Sequence, residues 1–307
     1  NYKYRKDLKE KYNKFEYFIN QILPLSKEIN EYKQVEGIID SYDTVICGSD
    51  QIWNISSFDF DLSYLLAFQK GKIKKISYAA SFGGDNSIIE KNKDLLKKYL
   101  SEFDALSVRE IDAQDKLSKM IDREVLRVPD PTLLLGQLKW KSLVEEKNYV
   151  DDEYILFYSL GPSPEDIKLV NYLSHKLGYK IIITNTANRN DKMMKAERHL
   201  DSGPLEFLNL IKNAKLVCTS SFHCTVFSIL FEVPFFCLNV ENEERLKSLL
   251  KITELEDRHI SNEDMETKIL DVFTNIDFAN ANRRLEHERK NGINYLIKAL
   301  GVENDLQ

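Results

Sequence analysis

The apolar positions of this chain follow two periods. Near the start, Phe15, Phe18, Ile19, Ile22 and Leu23 recur three and four apart, which predicts an amphipathic helix ending before Pro24, its Lys and Glu residues on a solvated face. From Tyr42 onward, short β-branched runs alternate with helical spacing. Residues 44–47 predict a buried strand feeding the loop Gly48-Ser49-Asp50-Gln51, and residues 74–81 a second that opens into Phe82-Gly83-Gly84. A third, 105–108, delivers Arg109 and Glu110, and a fourth, 124–128, is stopped by Pro129-Asp130-Pro131. Helices are expected at 88–103 and then to about Met120. Past a charged stretch the alternation restarts: strand 154–160, helix 164–177 with Gly178 as its C-cap, strand 179–184, helix 205–214, strand 215–219, helix 221–232, strand 235–238 and helix 243–251. The polar stretch 185–202 predicts a long loop, and 282–300 a final amphipathic helix.

Strands apolar on both faces, alternating with helices, predict an α/β protein with parallel sheets flanked by helices, here two Rossmann-like domains facing across a cleft. A length of 307 residues also favours two cores. The expected division is an N-terminal domain at 1–144, a C-terminal domain at 145–276 with its hinge at 145–153, and a C-terminal helix in 277–307 that packs back across the hinge.

Charge narrows the partners. Forty-three Lys and Arg against 49 Asp and Glu give −6, which repels nucleic-acid phosphate. No apolar run approaches the length needed to span a bilayer and no secretory signal opens the chain, so a cytoplasmic protein is expected. Cys47, Cys218, Cys224 and Cys237 lie in or beside apolar runs without C-x-x-C spacing, which predicts buried reduced thiols. Asp59 and Asp61 are too isolated to predict a metal, and none is expected.

In open parallel sheets, ligands collect at the carboxyl ends of strands, so residues there carry the candidate chemistry. His223 falls in the first turn of a helix that Ser220 and Ser221 can cap; unsatisfied amides there suit an anion, and the dipole favours a neutral imidazole able to act as base. Arg109 is placed either to grip a carboxylate or phosphate bidentately or to form a surface ion pair with Glu110 or Asp112. Asp50 is a general base or a helix cap, with Ser49 and Gln51 beside it as donors; Trp53 packs beneath. Ser81 and Gly83 border a second strand end, where glycine permits either close approach or a plain turn. Signatures of P-loop, dinucleotide, serine-hydrolase and zincin sites are absent from the sequence.

The runs Gly48-Ser49-Asp50-Gln51-Ile52-Trp53-Asn54, Ile76-Ser77-Tyr78-Ala79-Ala80-Ser81-Phe82-Gly83, Ser107-Val108-Arg109-Glu110, Asp130-Pro131-Thr132-Leu133-Leu134, Gly203-Pro204-Leu205-Glu206-Phe207-Leu208 and Ser221-Phe222-His223-Cys224-Thr225-Val226-Phe227-Ser228 resemble, in order, the polysaccharide pyruvyl transferase family. The resemblance covers residues 42–258 and implies a GT-B-like fold. It also implies transfer of the enolpyruvyl group of phosphoenolpyruvate to a sugar or glycan acceptor, forming a pyruvyl ketal with phosphate release and no cofactor. By carry-over, His223 is the motif histidine, Arg109 an anion-binding arginine and Asp50 a weaker match to an active-site acid; Arg258 is a further anion candidate or a surface charge. Two departures stand out. Ser221 occupies a position where some relatives carry arginine, and the strand and helix that usually open the family do not precede Asn1, so the first domain is expected to lack them. Two other functions share the fold: a glycosyltransferase using a nucleotide sugar, and a non-catalytic glycan-binding protein. An acceptor carried on a membrane lipid would bring peripheral membrane contact.

Overall fold

The computed structural model describes residues 4–29, 32–68, 71, 73–83, 87–144, 148–185, 194–238, 240, 244–260 and 276–302. Gly84, residues 145–147 of the expected hinge and residues 186–193 of the expected loop lie outside these. Two compact units partition the chain: 27–135 with 285–307, and 1–26 with 136–284. The change of unit falls between Leu135 and Gly136, and α1 (Arg5–Ile22) groups with the later residues rather than with those that follow it in sequence. On α1, Lys14 reaches Glu206 at 3.1 Å and Asp201 at 3.4 Å, and Lys11 donates to the Thr184 carbonyl at 3.1 Å.

The first unit is built from α2 (Tyr32–Ile39), β1 (Thr44–Cys47), β2 (Lys74–Ser77), α3 (Ser87–Lys91), α4 (Lys93–Leu100), β3 (Ser107–Val108), α5 (Ile111–Ile121) and β4 (Leu126–Arg127). β1 and β2 pair in parallel with Thr44 opposite Lys74, and β3 and β4 with Ser107 opposite Leu126. Parallel bridges from Ile76 to Ala105 and from Ala80 to Val108 join the pairs. Between the strands, the Ser77 hydroxyl donates to the Ser107 carbonyl at 2.9 Å and the Ser107 hydroxyl to the Ser77 carbonyl at 2.8 Å, satisfying two buried side chains that could find no water. The single helix expected at 88–103 is two, because the Asn92 side chain takes the Ile88 carbonyl at 2.9 Å and its backbone leaves the helical region. Trp53, fully buried, packs against Phe82 and Phe103 in the core.

The second unit continues with α6 (Gln137–Leu143), β5 (Tyr154–Tyr158), α7 (Pro164–Leu177), β6 (Lys180–Ile183), β7 (Glu197–Arg198), α8 (Pro204–Lys212), β8 (Leu216–Thr219), α9 (Phe222–Phe231), β9 (Phe235–Cys237) and α10 (Glu244–Thr253). Its five-stranded parallel sheet has the order β7-β6-β5-β8-β9, and a bridge from Cys237 to His259 extends it by one position. This is the doubly wound order, and strand succession reverses direction between β5 and β8. β7 lies in the stretch expected to be loop; its polar Glu197 and Arg198 suit a two-residue edge strand and give no apolar signal.

The last helix, α11 (Phe278–Leu300), passes from the second grouping to the first at Leu285. Within the first unit, Tyr295 donates to the Ser77 carbonyl at 2.7 Å, Arg289 to the Leu134 carbonyl at 3.0 Å, and Arg127 pairs with Glu288. Among the described residues, no helix is long and apolar enough to cross a membrane.

Candidate active site

In the first unit, four strand ends deliver the family-like motifs. After β1, Gly48 has φ +136°, and a Cβ there would lie 1.9 Å from the Tyr78 carbonyl oxygen, so only glycine fits the turn. Asp50 follows at φ +59°, a conformation aspartate tolerates better than most residues. The Ser49 hydroxyl donates to the Ala79 carbonyl at 2.7 Å, and Trp53 takes the Ser81 carbonyl at 3.1 Å through its backbone amide. Gly83, at φ +79°, lies against the Gln51 and Asn54 side chains. The loops after β1 and β2 thus hold each other.

At the centre stands Arg109, 5% exposed. Its guanidinium bonds Asp130 at 2.6 Å and Asp50 at 3.2 Å and lies 3.5 Å from Glu110. Burial alone disfavours the charged guanidinium, but the facing Asp130, Glu110 and Asp50 carboxylates outweigh it and hold Arg109 above its ordinary range. The expected ion pair with Glu110 is present, but in the interior rather than on the surface, and three carboxylates already face the guanidinium that was expected to grip an anion. Of the three acids only Asp50 meets solvent, its side chain 61% exposed. Ser81, a candidate from its place at a strand end, is fully buried, donating to Glu110 and accepting from the Gly83 amide at 3.0 Å. The arrangement presents one exposed carboxylate, steered from beneath by a buried cation.

In the second unit, the reversal of strand order brings together the ends of β5 and β8. Ser159 and Ser220 share a hydroxyl hydrogen bond at 2.9 Å, and Thr219 donates to the Tyr158 carbonyl at 2.6 Å. Ser221 caps α9, its hydroxyl accepting from the Cys224 amide at 3.4 Å, while its own amide donates to Thr219 Oγ1 at 3.0 Å. His223 follows in the first helical turn, half-buried, its ring edge-on to Phe222 at 5.4 Å. Arg258 is 2% exposed beside β9 and paired with Asp257, so it is no surface charge.

Sequence reasoning missed Asp130, Ser159 and Asn185. Asp130 holds Arg109 while also accepting from the Thr132 amide at 3.0 Å. Asn185, just past β6, donates to the Ser159 carbonyl at 2.6 Å. All three follow strands, so the carboxyl-end rule applied to every strand would have found them. Asp59 and Asp61 serve turns, accepting from the Ser57 hydroxyl and the Ser63 amide. Among the described residues, no group of three or more His, Cys, Asp or Glu is placed to hold a metal.

Parallel sheets flanked by helices, with polar groups gathered at strand carboxyl ends, define an α/β protein of GT-B-like fold. The structure is similar to UDP-GlcNAc 2-epimerase from Methanocaldococcus jannaschii, at 17% identity over 94% of this chain and 89% of that one with a TM-score of 0.60. It is similar also to S. aureus MnaA in its UDP co-structure, at 12% identity over 89% and 80% with a TM-score of 0.59. A putative UDP-N-acetylglucosamine 2-epimerase from Listeria monocytogenes gives 12%, 90%, 77% and 0.56 in the same terms. At such identities the likeness is one of fold. Residues 1–242 match the sequence model of the polysaccharide pyruvyl transferase family, and the chain belongs to that family, a transferase of glycan biosynthesis. No curated protein matches the chain significantly.

Proposed function

We propose that this chain moves the enolpyruvyl unit of phosphoenolpyruvate onto a sugar of a polysaccharide or lipid-linked glycan. Two sugar oxygens bond to the central donor carbon, the C–O bond to phosphate breaks, one hydroxyl proton ends on the methylene carbon as a methyl hydrogen and the other leaves with phosphate. No oxidant, reductant or cofactor is needed for that balance. The observation that carries the reading is His223 in the first turn of α9, where the second sheet reverses its strand order.

His223 delivers the proton to the methylene carbon, and the N-terminal end of α9 attracts the donor's phosphate or carboxylate, which suits a helix start better than a neutral group. Ser220 and Ser159 supply hydroxyls beside it. Asp50 accepts a proton from the attacking sugar hydroxyl, with Ser49 and Gln51 as neighbours. Arg109 is a positioning residue: held by Asp130, it fixes Asp50. The reaction belongs in the cytoplasm, where phosphoenolpyruvate is made and where four buried reduced thiols are at home.

The test is to incubate the protein with a panel of nitrophenyl hexosides and either phosphoenolpyruvate or nucleotide sugars. Phosphate release with a sugar mass gain equal to pyruvic acid less water supports the reading. Nucleotide release with glycosidic bond formation would replace it.

A further inference from the structure

The β5–β9 unit holds a cavity of about 420 Å³ between α1 and the helices beneath it. Its walls are aromatic: Phe15 and Phe18 from α1 face Trp140, Phe207 and Phe227. Trp140 stands edge-on to Phe227 at 4.9 Å, and Phe207 packs on Tyr158 at 4.8 Å, so the rings of the far wall pack against one another. Several lining side chains remain open to solvent, Phe15 at 41% and Ile22 at 49%, which leaves wetted hydrocarbon in a concave site. The volume falls in the range of small-ligand pockets, but polar groups able to read a sugar or a base are scarce.

Lys11 and Thr184 are among the few polar residues of the lining. Lys11 donates to the Thr184 carbonyl and forms no ion pair among the described residues, whereas nearby Lys14 is balanced by Asp201 and Glu206. The Thr184 hydroxyl belongs to a residue 1% exposed and has no hydrogen-bond partner among the described residues. A buried hydroxyl without a partner is costly and points to a group that completes it.

We propose that this cavity binds the hydrocarbon chain of an anionic amphiphile, its carboxylate or phosphate head lying at Lys11 and Thr184. The chain removes the aromatic walls from water, and the head takes the remaining Lys11 donors. Burial depresses the Lys11 ammonium below the ordinary lysine range, with Asp201 partly opposing, and an anionic head relieves that cost. The site is independent of the transfer reaction, and its test uses no donor or sugar.

Trp140 reports on it directly, because Trp53, the other tryptophan, is fully buried in the first unit. Sodium palmitate, dodecyl phosphate and hexadecanol are titrated separately below their aggregation concentrations while tryptophan fluorescence is recorded. Saturable one-to-one binding of palmitate or dodecyl phosphate is expected, and whichever binds more tightly identifies the head. Phe15→Asp and Phe18→Asp, on a helix with no fully buried residue, should each weaken it at least about tenfold with unchanged circular dichroism. Lys11→Gln should weaken the anions and spare hexadecanol. Absence of saturable binding by both anions, or equal binding by the Asp variants and wild type, overturns the proposal; equal effects of Lys11→Gln on all three overturn the head assignment.

Discussion

Replacing Arg109 with alanine strands two buried carboxylates. Asp130 and Glu110 are 2% and 7% exposed, and the guanidinium is the cation facing both. Breaking a buried ion pair from one side costs about 3–5 kcal/mol, because the remaining charge has lost both water and partner. Some compensation is visible. Asp130 keeps the Thr132 amide at 3.0 Å and hydroxyl at 2.8 Å, and Glu110 keeps the Ser81 hydroxyl. We therefore expect about 3 kcal/mol for Arg109→Ala, a large share of the roughly 5–15 kcal/mol of a typical domain. Asp50→Asn touches the same guanidinium from the exposed side and should cost less than about 1 kcal/mol, yet lower transfer activity by about 10²-fold or more. Urea denaturation of both variants, with an Arg109→Met/Asp130→Asn double-mutant cycle, separates the effects, and a coupling near 2 kcal/mol is expected between residues in direct contact. If Arg109→Ala costs no more than Asp50→Asn, the guanidinium does not hold this cluster together, and its assignment as a positioning residue fails.

Three further outcomes follow from the geometry. Ser221→Ala removes the α9 cap and should cost about 1 kcal/mol in denaturant titration, with Ser221→Asp retaining most of the stability. Gly48→Ala should destabilise by about 3 kcal/mol or more, since the new methyl meets backbone rather than a movable side chain; a melting temperature unchanged by the substitution would contradict the turn described. Burial pushes Cys47, Cys224 and Cys237 up to about 12 and Cys218 upward as well. Unfolded thiols ionise near roughly pH 8.5, so above that value the unfolded chain binds fewer protons and stability falls, by about 1 kcal/mol per thiol over the next pH unit. Three of the four lie in the second unit, which should lose urea resistance first between roughly pH 8 and 9.5; equal loss in both units would count against this.

How much was legible depended on whether the signal was local. Helix α7 matches its expected bounds because Ser163, Pro164 and Gly178 punctuate it: the Ser163 hydroxyl caps the Asp166 amide and Gly178 adopts φ +74°. Strand β2 was expected to run to Ser81 but its ladder ends at Ser77, since Ala79 turns to φ +49° and only Ala80 rejoins its neighbours by single bridges. Nothing in the spacing announces that bend. The environment of Arg109 was hidden for a related reason. Its strongest partner lies 21 residues later and another 59 earlier, so a burial decided by three converging strands was invisible from the flanking Val108 and Glu110. His223 was legible because strand, hydroxyls and helix start follow one another along the chain.

The most direct measurement of the central claim is proton NMR of the product formed in deuterium oxide from phosphoenolpyruvate and an accepted hexoside. Protonation of the methylene carbon by His223 predicts a ketal methyl group carrying a single deuterium, with both phosphate release and label lost in His223→Gln while its circular dichroism is unchanged. Phosphate release by His223→Gln at the wild-type rate, or a product whose new group carries no deuterium, would contradict it.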